Sequence, residues 1–93
     1  MVNAKTEKLL AKIRENPRNV RYDDLHTVCC HYLGIPRQNG SSHAFFKTPW
    51  PGDPRVNIQR GHNGEAKPYQ VKQAIEAIEK LQQLAQKEDT DNE

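Results

Sequence analysis

His43 is the residue of this chain best suited to chemistry. It closes the run Gly40-Ser41-Ser42-His43, just past an Asn39-Gly40 pair of the kind that turns one strand back on another. An imidazole ordinarily titrates near neutrality, at about 6.5, so it takes or gives a proton there without further tuning. A substrate that carries its own nucleophile needs little more, and RNA is such a substrate: its ribose 2′-OH attacks the adjacent phosphorus once a base removes the proton. Arg37, Lys47, Arg55, Arg60 and Lys67 surround His43 in sequence. They are candidates to hold phosphates and to offset charge in the transition state, with Ser41 and Ser42 as polar neighbours. His62, in Gly61-His62-Asn63-Gly64, is a second candidate acid or base at what reads as a strand end. Taken alone, a histidine is more often a half-buried strand residue bonded to backbone, so the surrounding elements decide.

A strand pair has to present that imidazole. If Asn39-Gly40 forms a two-residue type I′ turn, Gln38 pairs with Ser41, Arg37 with Ser42 and Pro36 with His43, and Ser41, His43 and Phe45 share a face. The stretch from Thr48 to Pro54 holds three prolines and a glycine and predicts a loop. Beyond it, Arg55 to Arg60 alternates as a third strand, with Val56 and Ile58 toward a core. Leu25, Val28, Cys29, Tyr32 and Leu33 fall on one stripe and predict a helix over 22–33 that Gly34 closes. Val71, Ala74, Ile75, Ile78, Leu81 and Ala85 predict another over 68–86, with Pro68 in its first turn. Leu9, Leu10 and Ile13 predict a short amphipathic helix over 3–15 that stops at Asn16-Pro17. The expected fold is α+β: a three-stranded antiparallel sheet with helices on one face, in the order α-β-β-β-α, plus an extra N-terminal helix. The other sheet face is left for function. The expected divisions are a helical extension over 1–18, the functional domain over 19–86 and an acidic, disordered tail over 87–93.

Charge and composition narrow the partners. The 93 residues allow one domain, and a hydrophobic share of 34% argues against a large substrate cavity. The net charge of +2 hides an asymmetry, because the tail from Lys87 carries one lysine against four acids and leaves 13 basic and 8 acidic residues before it. A mildly basic body suits a polyanion. Cys29 and Cys30 are adjacent, so on a helix their side chains diverge, no local disulfide is expected and a reducing compartment fits. His26 and Cys30 are spaced to flank a metal, but His31 points elsewhere and no second Cys/His pair exists, so no metal site is expected. Without a leader or an apolar run of about 18 residues, the sequence predicts a soluble, cytoplasmic protein with no membrane partner. Tyr22, Tyr69 and Trp50 are able to stack on bases, and Trp50 between prolines reads as a lid over the sheet edge.

One resemblance gathers these features. Gly40-Ser41-Ser42-His43 followed by Ala44-Phe45-Phe46-Lys47 resembles the Gly-Ser-x-His signature of the HicA family of toxin–antitoxin mRNA interferases. Tyr22-Asp23-Asp24-Leu25 and Leu33-Gly34-Ile35 stand where that family places its first helix and the start of the hairpin, and the resemblance runs from about residue 19 to residue 85. It implies a fold like the double-stranded-RNA-binding domain, which agrees with the element order above. It also implies a metal-independent endoribonuclease without cofactor, His43 as its general acid/base, mRNA as substrate and a HicB-type antitoxin as partner. The chain departs from the family in its first 18 residues, in Val56-Asn57-Ile58-Gln59-Arg60-Gly61-His62, which matches loosely, and in Lys67-Pro68-Tyr69-Gln70-Val71-Lys72, which replaces the commoner helix start. The alternative function is a noncatalytic RNA-binding or adaptor module on the same fold, and a third is a domain that only binds protein through the 68–86 helix.

Overall fold

The computed structural model describes residues 4–37, 43–52 and 54–91, with side chains up to residue 85. Three helices and two strands follow one another as α1 (Ala4–Glu15), α2 (Tyr22–Leu33), β1 (His43–Phe46), β2 (Val56–Gln59) and α3 (Pro68–Asp91), with a short 3-10 turn at His62–Gly64. The class is α+β. No helix among the described residues is long and apolar enough to cross a membrane.

The helices form where apolar residues recur at helical spacing. In α2, Leu25, Val28 and Cys29 are buried, and Asp23 and Asp24 in its first turn complement the positive end of the helix dipole. Gly34 ends it with φ of 95°, a conformation that disfavours other residues, while its N–H bonds the Cys30 carbonyl at 3.1 Å. In α3 the buried stripe is Val71, Ala74, Ala77 and Ile78. This helix continues to Asp91, past the boundary expected at residue 86, because Gln82 to Glu88 are all good helix formers with no glycine or proline to stop them. The backbone of 87–91 is therefore helical where a disordered tail was expected. In α1, Leu10 and Ile13 enter the same core as α2, so this segment packs with the rest of the fold.

β1 and β2 pair antiparallel with His43 opposite Gln59, Ala44 opposite Ile58, Phe45 opposite Asn57 and Phe46 opposite Val56. Alternation sends Ala44, Phe46, Val56 and Ile58 into the core against α2 and α3. Burying an aliphatic side chain as fully as Ile58 stabilises the fold by about 1.5–3 kcal/mol. The opposite face carries His43, Phe45, Asn57 and Gln59, which are half-buried or exposed.

The third strand is a correction. Among the described residues the sheet has two strands, and the segment expected to pair as the first contributes a single bridge, Arg37 opposite Phe45, closed by N–H to carbonyl bonds of 2.8 and 3.1 Å. Only Gly34, Ile35 and Pro36 separate the end of α2 from that bridge, too little chain to leave a helix and also extend a ladder. Pro36 has no N–H to offer an outer edge, and Ile35 is 94% exposed. The register differs as well: Arg37 faces Phe45 rather than Ser42. Asn39, Gly40 and the turn expected there lie outside the described residues, as do Gln38, Ser41 and Ser42. The shift has an odd number of residues, and in a sheet that exchanges faces. Arg37 consequently belongs to the same face as His43 and Phe45, where a two-residue turn would have put it on the other.

Candidate nucleic-acid interface

β1 opens with His43, and the strand fixes its face. Two residues on, Phe45 shares that face, and the two rings stack with centroids 5.9 Å apart and an interplanar angle of 24°. Phe45 is 49% exposed, so part of its ring faces solvent. Opposite His43, the Gln59 side chain accepts a 2.9 Å hydrogen bond from Lys67 Nζ. The Lys67 ammonium is thus held by the residue that pairs with His43.

The loop after β2 makes that arrangement possible. Gly61 N–H donates to the Glu65 carbonyl at 2.7 Å, and a Cβ on Gly61 would stand 2.9 Å from that same oxygen. Only glycine permits so close an approach. Asn63 adopts a positive φ of 56°, which asparagine tolerates, and Ala66 N–H bonds the Val20 carbonyl at 2.8 Å, tying the returning chain to the start of α2. Lys67 leaves this fold-back directly before α3 and reaches Gln59. On the outer edge of β2, Gln70 of α3, only 3% exposed, accepts the Gln59 N–H at 2.9 Å. This bond satisfies a strand-edge donor that would otherwise be unpaired.

Of the expected cations, Arg37 and Lys47 flank Phe45, and Lys47 and Arg55 line a groove beside it with Trp50 and Asn57. Arg60 turns away. It lies on the helix side of β2, where its guanidinium donates to Asp23 Oδ1 at 3.0 Å and rests 4.8 Å from the centre of the Tyr22 ring. Both members of that ion pair are exposed, so it contributes less than about 1 kcal/mol. His62 sits in the exposed 3-10 turn beyond β2, with the Glu65 N–H on its carbonyl at 3.0 Å. Tyr22 is buried and cannot serve as a stacking platform. Trp50 donates from Nε1 to the Pro54 carbonyl at 2.9 Å, and Lys80 Nζ lies 4.5 Å from its ring centre, which fixes it as a wall at the sheet edge.

Asn57, Gln59 and Gln70 escaped the reading of the sequence. Polar residues alternating with Val56 and Ile58 were the available signal for the first two; nothing local distinguishes Gln70 from other helix glutamines. Asn57 carries a further feature: its Oδ1 is buried and has no donor among the described residues. Leaving an acceptor in that state costs about 1–3 kcal/mol.

Cysteine chemistry finds no support. Cys29 lies in the core, and burial, reinforced by the neighbouring Cys30, pushes its thiol up to about 12. Burial also raises Cys30, whose Sγ is 3.5 Å from His26 Nδ1. Thiols raised in this way stay protonated and are poor nucleophiles. A thiol reagent at neutral pH is expected to spare Cys29 in the folded protein and to label both cysteines once urea unfolds it; native-state labelling of Cys29 as fast as in urea would contradict the packing. The raised value of Cys29 also means that its contribution to stability is present below the ordinary 9.0 and is lost as pH climbs toward about 12. Among the described residues no group of three or more His, Cys, Asp or Glu is arranged to hold a metal ion, and His26 with Cys30 forms only a pair.

Comparison of the chain with protein-family models, with curated proteins and with solved structures found no match.

Proposed function

We propose that this protein is a metal-independent endoribonuclease of the HicA type, a cytoplasmic toxin acting on mRNA and held inactive by a HicB-type antitoxin, with His43 as general acid/base. The observation that carries the proposal is the face shared by His43, Phe45, Gln59 and Arg37, with Lys67 fastened to Gln59. A base stacked on Phe45 sets its sugar and phosphate beside the imidazole. His43 takes the proton of the ribose 2′-OH, the 2′ oxygen bonds to phosphorus, and the bond from phosphorus to the 5′ oxygen breaks. The leaving oxygen then receives a proton from the imidazolium, so protons balance and the products are a 2′,3′-cyclic phosphate and a 5′-hydroxyl. Lys67 and Arg37 oppose the negative charge that gathers on the phosphoryl oxygens. The order of elements supports the reading in part: a helix, two antiparallel strands and a closing helix follow one another in the implied sequence, with a single bridge at Arg37 where a further strand was expected.

The second reading, a noncatalytic RNA-binding module, draws on the same exposed Phe45 and the same cations. Labelled RNA incubated with the protein in EDTA separates the two. Cleavage products ending in a cyclic phosphate are the expected result; a salt-sensitive complex with intact RNA transfers the face to a binding role. Neither binding nor cleavage would remove both.

A further inference from the structure

We propose that the open face of the strand pair is a track for single-stranded RNA, at whose far end Lys47 and Arg55 hold a phosphate two nucleotides from the bond cleaved beside His43. The proposal rests on RNA being the ligand of the His43 face and adds to it the length of strand that the face engages.

Alternation gives that face three rows. His43 and Gln59, which holds Lys67, form the first, and Phe45 and Asn57 form the second. Lys47 and Arg55 stand next in the same register, just beyond the ends of β1 and β2, and both border the groove that Trp50 walls. Side chains on one face of a strand recur every second residue, so the first and third rows lie about 13 Å apart, about two steps of an extended single strand. A base that rests on Phe45 in the middle row has to leave its stack to do so, which favours a single strand over a duplex.

The third row costs the fold stability unless an anion occupies it, because like charges directly opposite each other in a sheet repel. Lys47 and Arg55 are both exposed, and neither is in an ion pair among the described residues. Among those residues no carboxylate lines the groove. A phosphate between the two cations turns the repulsion into two attractions, and a guanidinium is able to meet two of its oxygens at once. The groove has a volume of about 530 Å³, enough for one sugar and its phosphate. Its wall stays in place, since Trp50 donates to the Pro54 carbonyl and Lys80 lies over its ring.

The test uses the full chain and oligouridylates of two, three and four nucleotides without terminal phosphates, carrying 2′-O-methyl groups that block the nucleophile so that binding is read without scission. Two or three nucleotides, with one or two phosphates, reach the cations at one end of the face only; four reach both. Affinity is therefore expected to rise by about tenfold, chiefly on adding the fourth nucleotide, with the amide NMR signals of Lys47 and Arg55 shifting as it binds. In Lys47→Ala/Arg55→Ala that rise should disappear, and the slope of log affinity against log salt for the tetranucleotide should fall by about 0.7, the share of one phosphate on a single strand. Lys8→Ala/Lys12→Ala removes the same charge from exposed positions of α1, which packs on α2, and should change neither. An affinity that grows equally with each nucleotide, a step at four that survives in Lys47→Ala/Arg55→Ala, or an equal loss in the α1 variant would overturn the proposal. The two readings fail separately: a step at four without cleavage of unmodified RNA sinks only the nuclease, cleavage without that step sinks only the track, and binding to none of the three with no cleavage removes both.

Discussion

Replacing His43 with alanine is expected to lower RNA cleavage by about 100- to 10,000-fold while RNA still binds, because the substitution removes the proposed proton carrier and leaves the cations and Phe45 in place. His43 is half-buried at the start of β1 and its ring leans on Phe45, so the loss of stability should stay near about 1 kcal/mol, well short of unfolding a small domain. Circular dichroism and a thermal midpoint for the variant, measured beside the cleavage rate, separate chemistry from folding. The substrate offers a matching control. If RNA provides the nucleophile, a single 2′-deoxy sugar at the cleaved position should stop scission with little change in affinity, and the unaltered protein on that substrate should resemble His43→Ala on ordinary RNA. A variant that cleaves at the original rate would move the chemistry off β1 altogether.

How much of this was legible in the chain depends on whether a local pattern or a tertiary bond decides each feature. α2 and α3 were, because their apolar stripes satisfy one requirement, burial of a helix face, that spacing alone expresses. β2 was too, through Val56 and Ile58, and with it the division of the sheet into a core face and an open face. The register of Arg37 was not. The Asn39-Gly40 pair suggests a register with Arg37 opposite Ser42, whereas the bridge sets Arg37 opposite Phe45, a choice that nothing local in the sequence expresses. That difference changes the face as well as the register, since it carries a guanidinium to the side of the imidazole.

Two further features were hidden for related reasons. Arg60 reads as one basic residue among five near His43, yet strand alternation assigns it to the helix side, where Asp23 and the Tyr22 ring receive it. The alternation that turns Val56 and Ile58 inward already implies that side; what it does not show is the partner, Asp23, 37 positions away in the chain. Gln70 reads as a solvated helix residue and is instead the partner of a β2 edge N–H. Its role depends on how closely α3 crosses the strand, which no propensity encodes. The length of α3 misleads in the opposite direction: acidic composition suggested an unstructured end, while the helix-forming character of Gln82 to Glu88 carries the backbone on to Asp91.

The contrast between Arg60 and Lys67 yields the second large effect. Both are cations within a few residues of each other, and a view based only on net attraction for RNA predicts that losing either weakens the protein alike. The geometry distinguishes them. Lys67→Ala is expected to reduce the turnover rate on the order of 100-fold if the proposed reaction runs on this face, because the ammonium is fastened to Gln59, the residue paired with His43, where it would oppose charge on the phosphoryl oxygens. Arg60→Ala should leave turnover unchanged and cost less than about 1 kcal/mol of stability, the value of an exposed ion pair. Lys67→Arg keeps the charge but exchanges a compact ammonium for a planar fork, so it should restore only part of the rate. Salt dependence supplies the independent check: losing a true phosphate contact lowers the slope of log affinity against log salt by about 0.7 for a single strand, and Lys67→Ala should show that change while Arg60→Ala should not. Equal losses in the two variants would mean that the face attracts RNA by its overall charge and that Lys67 has no particular part in the reaction.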